Sequence, residues 1–201
     1  MIGMILKIGI LDVQGAVSEH AKSIRNIGAQ PVLVKHPESL AEVHGLILPG
    51  GESTTLGTLI RKYGLHDPIR ERARQGMPVF GTCAGLILLA RKIEGQDDHH
   101  LDLMDITVNR NSFGRQRDSF EADIEFEGLS GAPFPGVFIR APHIVTAGSD
   151  VKVLAIYRDR IVAARQGNLL AASFHPELTS DLRLHEYFKA VIERQCAAEC
   201  V

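Results

Sequence analysis

The feature that most constrains this chain is a cysteine between two glycines, where an apolar strand meets an apolar helix. Val79 and Phe80 end the predicted strand, Gly81-Thr82-Cys83-Ala84-Gly85 forms the turn, and the predicted helix begins at Leu86. The flanking glycines indicate a turn too tight for neighbouring side chains, as in the Gly-x-Ser-x-Gly turn of α/β hydrolases. Such a turn places the sulfur at a helix N-terminus, where the helix dipole favours a thiolate. The pattern predicts either a nucleophilic cysteine or a buried structural one.

Size and composition exclude several classes of protein. The chain has 201 residues, which suits a single domain over 1–201, and its 45% hydrophobic and 23% charged residues are ordinary for a globular protein. A net charge of −2 gives no basis for binding nucleic acid or an anionic membrane, and no apolar run is long enough to span a bilayer. Three cysteines do not make a disulfide framework, so we expect a protein of the reducing cytoplasm.

Apolar runs that alternate with amphipathic segments predict the fold of the first half. Strands are expected at 7–13, 32–35, 45–48 and 79–80, and helices at 18–27, 54–63 and 67–74, with a turn at Pro37 and a short segment at 38–43 between the second and third strands. This alternation over short connections predicts an α/β fold, with a mostly parallel, doubly wound sheet.

The second half has a different pattern, in which strands follow one another with few helices between them. They are expected at 105–110, 119–126, 137–139, 151–157, 161–165 and 169–174. We interpret them as an antiparallel extension of the core sheet. A last amphipathic helix at 181–194 is expected to pack against the core.

A second glycine-rich turn, Pro49-Gly50-Gly51-Glu52-Ser53, follows the strand at 45–48. It lies at the carboxyl end of that strand, where open α/β sheets bind their ligands. Gly50 and Gly51 allow backbone N–H groups to point towards a ligand, and Ser53 is a candidate cap for the next helix. The turn is either an oxyanion site, which stabilises negative charge on an intermediate, or a plain strand-to-helix junction. It lacks the Gly-Lys-Ser/Thr ending of a Walker loop.

The last predicted strand ends at a histidine that is followed two residues later by a glutamate. Pro176 disfavours a helix here, so the side chains of His175 and Glu177 are expected on the same side of an extended segment. One imidazole nitrogen then bonds to the carboxylate while the other faces a sulfur. This is the arrangement of a base and its orienting group in a catalytic triad. Together with Cys83 upstream, the pair favours catalysis over a structural role.

Several sequence blocks carry a more specific signal. They are Gln14-Gly15-Ala16-Val17, Pro49-Gly50-Gly51-Glu52-Ser53-Thr54-Thr55, Gly81-Thr82-Cys83-Ala84-Gly85, Arg110-Asn111-Ser112-Phe113-Gly114-Arg115-Gln116, Phe138-Ile139-Arg140-Ala141-Pro142 and Ser173-Phe174-His175-Pro176-Glu177. Through these blocks the chain resembles the class I, triad-type glutamine amidotransferases, and more narrowly the glutaminase subunits of pyridoxal 5′-phosphate synthases. The blocks occur in the family's order and span nearly the whole chain. One departure is Asp12-Val13, where family members often have Gly-Leu; it affects the first loop and leaves the triad intact.

The resemblance implies a fold, a reaction and a partner. The fold would be the three-layer, flavodoxin-like sheet of class I amidotransferases. The reaction would be hydrolysis of L-glutamine to L-glutamate and ammonia, without a cofactor or metal of the chain's own. The ammonia would pass to a separate (β/α)8-barrel synthase subunit, which makes pyridoxal 5′-phosphate from ribose 5-phosphate and glyceraldehyde 3-phosphate. Pyridoxal 5′-phosphate is thus the product of the complex.

The resemblance also implies a role for individual residues. Cys83 would be the nucleophile, His175 the general base and then acid, and Glu177 the group that orients the histidine. The residues implied in glutamine binding are Gly50, Gly51, Glu52, Arg110, Ile139 and Arg140. Those implied in an oxyanion loop that responds to docking of the synthase subunit are Gln14, Gly15 and Gly51.

The charges of glutamine itself support part of this assignment. Its α-carboxylate needs a cation, for which Arg110 and Arg140 are candidates, and its α-ammonium needs an anion, for which Glu52 is the candidate. Arg115 competes with them, and Arg117 is better explained as a solvated charge.

Other histidines and cysteines have plainer interpretations. His99 and His100 lack further ligands at metal spacing and are expected in a solvated loop. His143 lies near the predicted site in sequence, and Cys196 and Cys200 near the terminus are interpreted as incidental.

Two alternatives from other functional classes remain open on sequence grounds. One is a non-catalytic binding module in which Cys83 is a sensor thiol, and the intact Cys83, His175 and Glu177 set argues against it. The other is a different hydrolase on the same fold, such as a γ-glutamyl hydrolase or a cysteine peptidase.

Overall fold

The structure, a computed structural model, describes residues 5–97, 100–110 and 119–199. Its helices are α1 (Val17–Asn26), α2 (Pro37–Ala41), α3 (Ser53–Lys62), α4 (His66–Arg74), α5 (Ala84–Leu89) and α6 (Arg183–Glu199). Its strands are β1 (Lys7–Leu11), β2 (Gln30–Val34), β3 (Gly45–Leu48), β4 (Val79–Thr82), β5 (Ala90–Ile93), β6 (Met104–Asn109), β7 (Ser119–Ile124), β8 (Phe134–Ile139), β9 (His143–Ala147), β10 (Lys152–Tyr157), β11 (Arg160–Gln166) and β12 (Leu169–Ala172). A short 3-10 turn, Pro176–Leu178, follows β12.

The main sheet has a parallel half and a largely antiparallel half. Its strand order is β2-β1-β3-β4-β12-β11-β9-β6-β5, with β10 paired to β11. The first five strands are parallel and follow the flavodoxin-like order of doubly wound sheets, as predicted. The pairs of β11 with β12, β10 and β9, and of β6 with β9, are antiparallel, which confirms the predicted extension.

Helices cover both faces of the sheet because its central strands are apolar on both sides. Within β3, Leu46 and Leu48 pack into one apolar cluster and Ile47 into the other, as the two-residue period of a strand requires. The first cluster contains side chains of α3, α4 and α5, among them Leu56, Ile69 and Leu86. The second contains side chains of α1 and α6, among them Ile24 and Phe188. The predicted three layers are therefore present.

The structure departs from the predicted elements mainly in the second half. The segment expected as a strand at 119–126 forms β7, which pairs with β8 in a separate two-stranded sheet instead of extending the main one. Strands β5 and β9 were not predicted; β5 follows α5 with no turn residue between them to signal it. Helix α6 continues past the expected end at 194 to Glu199, and Cys196 packs against the second apolar cluster.

Candidate active site

Strand pairing alone brings the cysteine and the histidine together. β4 and β12 are parallel neighbours with Thr82 opposite Ala172, and the N–H of Cys83 donates to the carbonyl oxygen of Ala172 over 2.8 Å. His175 follows three residues after Ala172, and its backbone N–H donates to the Val137 carbonyl oxygen over 2.8 Å. Cys83 and His175 therefore meet at the carboxyl edge of the sheet, where the sequence predicted a site.

The turn at Cys83 has the strained geometry that its glycines predicted. Cys83 has a φ of 51°, in the left-handed region that side chains disfavour. A Cβ at Gly81 would overlap the backbone of Gly85, and one at Gly85 would overlap the carbonyl oxygen of Leu48, so only glycine fits at either position. The side chain of Cys83 is 7% exposed and its Sγ lies 3.8 Å from the Ile139 carbonyl oxygen.

The predicted contact between His175 and Glu177 is present. The imidazole Nδ1 lies 2.7 Å from Glu177 Oε1, and both side chains are buried. Burial lowers the pKa of His175, but its hydrogen bonds with Cys83 and Glu177 and the negative charges of both outweigh this and raise the pKa to about 10. Burial raises the pKa of Glu177, but His20 and His175 outweigh this and hold the pKa below its usual value. The surroundings of His175 thus favour its protonated form, held between the Cys83 side chain and the Glu177 carboxylate.

A cavity of about 280 Å³ opens beside this trio. It is lined by Gly51, Glu52, Ser53, Cys83, Ala84, Ile87, Arg110, Ile139, Arg140, Pro142 and His175. Most of the residues implied in glutamine binding are therefore in its wall. Gly50 is the exception: it lies behind His175, and a Cβ there would overlap the imidazole ring.

Glu52 and Arg110 form an ion pair in the cavity wall. Arg110 Nη2 lies 3.0 Å from Glu52 Oε1 and also donates to Thr54 Oγ1 over 3.0 Å. The Glu52 carboxylate accepts from the N–H groups of Thr54 and Thr55, and from the Thr55 hydroxyl. The Thr55 hydroxyl bond is the largest cause that lowers the Glu52 pKa, to about 2, so the carboxylate is ionised. Glu52 and not Ser53 therefore caps α3; the predicted Ser53 cap is wrong because Ser53 is already the first residue of the helix.

Gln14 and Gly15 contact the glycine-rich turn without lining the cavity. The side-chain oxygen of Gln14 accepts from the N–H of Glu52 over 3.2 Å. Gly15 has a φ of 107° and lies so close to the Gly50 carbonyl oxygen that a Cβ would overlap it. Both residues line a separate cavity of about 560 Å³ next to α1. A change in the conformation of this loop would therefore affect the glycine-rich turn through two contacts, one at Glu52 and one at Gly50.

The remaining sequence predictions have mixed outcomes. His100 is 4% exposed and packs against Gly57, so its placement in a solvated loop was wrong. His143 lies in β9 and is not among the residues that line the active-site cavity. His99, Arg115, Arg117 and Cys200, together with the block at 111–116, lie outside the described residues.

Within 5–97, 100–110 and 119–199, no group of three side chains is arranged to hold a metal ion. No helix in those ranges is both long and apolar enough to cross a membrane.

Sequence reasoning missed two buried histidines behind the triad. His20 lies on α1 with its Nε2 3.4 Å from Glu177 Oε2, and His185 lies on α6 with its Nε2 3.1 Å from His20 Nδ1. The available signal was the position of His20 beside Ala21 and one turn before Ile24, on the face of α1 that was predicted to point inward.

The strained cysteine, the histidine and glutamate beside it and the charged cavity define a triad-type amidohydrolase of the amidotransferase class. The chain belongs to the SNO glutamine amidotransferase family, whose model matches residues 10–194.

Individual relatives agree with this assignment. The chain is 61% identical over 188 residues to a pyridoxal 5′-phosphate synthase subunit PdxT of Geobacillus kaustophilus, with 94% of this chain and 95% of the relative covered. It is 59% identical to the PdxT of Bacillus licheniformis, with 94% and 96% covered. A crystal structure of a glutamine amidotransferase is 47% identical and superposes with a TM-score of 0.88, covering 92% of this chain and 98% of that one.

Proposed function

We propose that this chain is the glutaminase subunit of a pyridoxal 5′-phosphate synthase, which hydrolyses L-glutamine and supplies ammonia to a synthase subunit. The observation that carries the proposal is the buried contact of Cys83, His175 and Glu177 at the wall of a cavity with a paired cation and anion. Relatives with about 60% identity that are named as pyridoxal 5′-phosphate synthase subunits support the particular pathway.

The proposed reaction is an acyl transfer through Cys83. The thiolate attacks the carbonyl carbon of the glutamine side chain, and the resulting oxyanion needs N–H donors. Gly51 and Ala84, which line the cavity with Cys83, are the candidate donors. Collapse of the intermediate breaks the C–N bond, and His175 gives its proton to the leaving ammonia. His175 then takes a proton from water, which attacks the thioester; collapse of this second intermediate breaks the C–S bond, releases glutamate and restores the thiolate and the protonated His175.

The ion pair of Arg110 and Glu52 suits the other end of glutamine. The α-carboxylate and α-ammonium sit on one carbon atom, so their binding site needs a cation and an anion side by side. Arg110 Nη2 and Glu52 Oε1, 3.0 Å apart, provide them. We assign Arg110 to the carboxylate and Glu52 to the ammonium, with Ile139 and Arg140 as part of the same wall.

The partner we propose is a (β/α)8-barrel synthase subunit, and the contact we assign to it is the loop of Gln14 and Gly15. This loop touches Gly50 and Glu52 from outside the cavity, so docking there would adjust the N–H groups of the oxyanion turn. We accordingly expect low activity in the isolated chain. We also propose that the chain works as one domain over 1–201, in the cytoplasm and without a cofactor of its own.

Ammonia release from L-glutamine, measured with and without the synthase subunit, tests this proposal. We expect slow release by the chain alone and a rise of at least about tenfold with the partner, since oxyanion donors are worth that much or more. A chain that binds the partner but releases no ammonia would be a non-catalytic module. Release from γ-glutamyl peptides and not from free glutamine would indicate a different hydrolase.

The pH dependence of kcat/KM follows from the pKa of His175. The protonated imidazole donates to the leaving ammonia, and it loses its proton only as the pH rises through about 10. Glu177, with a lowered pKa, stays ionised as the pH falls towards 4.5. We therefore expect kcat/KM of the complex to be flat from roughly pH 6 to 9 and to fall on the alkaline side near pH 10. A limb near pH 6.5, the unperturbed value for histidine, would contradict this account.

A further inference from the structure

The triad continues into the protein interior through two more histidines. His20 and His185 are 0% and 1% exposed, and the His20 Nδ1 and His185 Nε2 atoms are 3.1 Å apart. On its other side His20 Nε2 lies 3.3 Å from Thr82 Oγ1 and 3.4 Å from Glu177 Oε2. Glu177 thus lies between two imidazoles, with Oε1 on His175 and Oε2 towards His20. Neither His20 nor His185 lines the active-site cavity.

Burial favours the neutral form of both interior histidines. It is the largest cause that lowers the pKa of each, and the pKa of His185 falls to about 3. The charged groups that face His20 are Glu177, which raises its pKa, His175, which lowers it, and Glu19 on its own helix, which raises it. Each neutral imidazole has one N–H donor and one acceptor nitrogen, so the pair can be arranged in two ways.

The surroundings favour one of these arrangements. An ionised Glu177 only accepts hydrogen bonds, so His20 should present Nε2–H towards Oε2, in a long contact shared with Thr82. His20 Nδ1 then accepts from His185 Nε2–H. His185 Nδ1 is then the unprotonated nitrogen of its ring, and it has no hydrogen-bond partner within the described ranges. The reverse arrangement would leave a buried N–H without an acceptor at His185 and turn a lone pair of His20 towards the carboxylate. That arrangement costs more free energy.

We propose that His20 is a positioning residue for the glutaminase reaction and that His185 holds it in the required tautomer. This inference rests on the proposed function. The N–H of His20 fixes Glu177 Oε2, and this keeps Oε1 aligned with His175 Nδ1. It also brings an N–H, 3.4 Å away, to the one oxygen of this buried carboxylate that makes no hydrogen bond within the described residues, and a positive partial charge there favours the ionised form.

A matched pair of variants tests the role of the Nε2 donor. In His20→Gln the amide nitrogen is the same number of bonds from Cβ as Nε2, whereas in His20→Asn it corresponds to Nδ1. With the synthase subunit present, we expect His20→Asn to lower kcat by about 10- to 100-fold, the range found when the hydrogen-bond partner behind a metal-binding histidine is lost, and to leave KM for glutamine unchanged. His20→Gln should recover most of the loss. His36→Asn, at an exposed histidine before α2, is the control and should match the wild type.

Nitrogen NMR of the wild-type chain gives a readout that needs no activity. With ¹⁵N-labelled histidine we expect a neutral His20 protonated at Nε2, and in His185→Leu a loss of that single tautomer. A proton at Nδ1 of His20 would overturn the proposal, and so would unchanged kcat in His20→Asn or equal losses in the Asn and Gln variants. If wild-type complex released no ammonia, the proposed function would fail instead, while the tautomer would still show whether His20 donates to Glu177.

Discussion

Replacing Cys83 with alanine is expected to abolish ammonia release from glutamine, by at least about 10⁴-fold in kcat with the synthase subunit present. The sulfur is the only group of the trio that forms a bond to substrate, and loss of a nucleophile in a triad has effects of this size. The fold should survive, because alanine is no more strained than cysteine at a φ of 51° and the change removes only the sulfur atom. We expect the free energy of unfolding to change by less than about 1 kcal/mol.

The control for this variant is Cys196→Ala. Cys196 lies on α6, half-buried against the second apolar cluster and outside the active-site cavity. We expect it to retain full glutaminase activity. Substantial ammonia release by a folded Cys83→Ala variant in complex with the partner would show that the nucleophile is misassigned.

Replacing His175 with asparagine is expected to lower kcat by about 10³- to 10⁵-fold, in line with the loss of a triad base. Asparagine can still contact Glu177, but it cannot carry the proton between the thiol, the leaving ammonia and water. It also removes the imidazole that forms a hydrogen bond with Cys83. The complex with the synthase subunit should still form, because the Gln14 loop that we assign to docking is intact.

Binding and turnover need to be measured on the same His175→Asn sample. Complex formation is followed by analytical ultracentrifugation and turnover by ammonia release. A stable complex without turnover supports the role of His175, whereas full activity in that complex rules it out. A variant that loses the complex as well would show that His175 also shapes the docking surface.

Much of the active site was predictable because its residues lie at ends of strands. Apolar runs identify β4 and β12, and the parallel order of a doubly wound sheet brings Cys83 and His175 to one edge. The glycines around Cys83 indicated a tight turn, because two glycines at that spacing are needed where backbone segments approach each other closely. His175 and Glu177 could be paired because they are two residues apart in an extended segment.

What sequence did not reveal depends on contacts between distant segments. The bond from the Gln14 side chain to the Glu52 N–H spans 38 residues, and no local pattern marks it. His20 and His185 are 165 residues apart, and each alone is indistinguishable from an ordinary core histidine. The ion pair of Glu52 and Arg110 joins two residues that sequence assigned to opposite charges of the substrate, but not to each other. Strand β7 was assigned to the wrong sheet, because its residue pattern identifies a strand but not the strand with which it pairs.

The central claim, that Cys83 attacks the side-chain carbonyl of glutamine, is tested most directly by covalent labelling. The complex with the synthase subunit is incubated with a glutamine analogue that carries a diazoketone in place of the amide, and its peptides are analysed by mass spectrometry. We predict a single adduct on the peptide that contains Cys83. Excess L-glutamine should block its formation, and ammonia release should fall in parallel as the adduct forms. An adduct on Cys196 or Cys200 alone, or no adduct in a sample that releases ammonia, would contradict the claim.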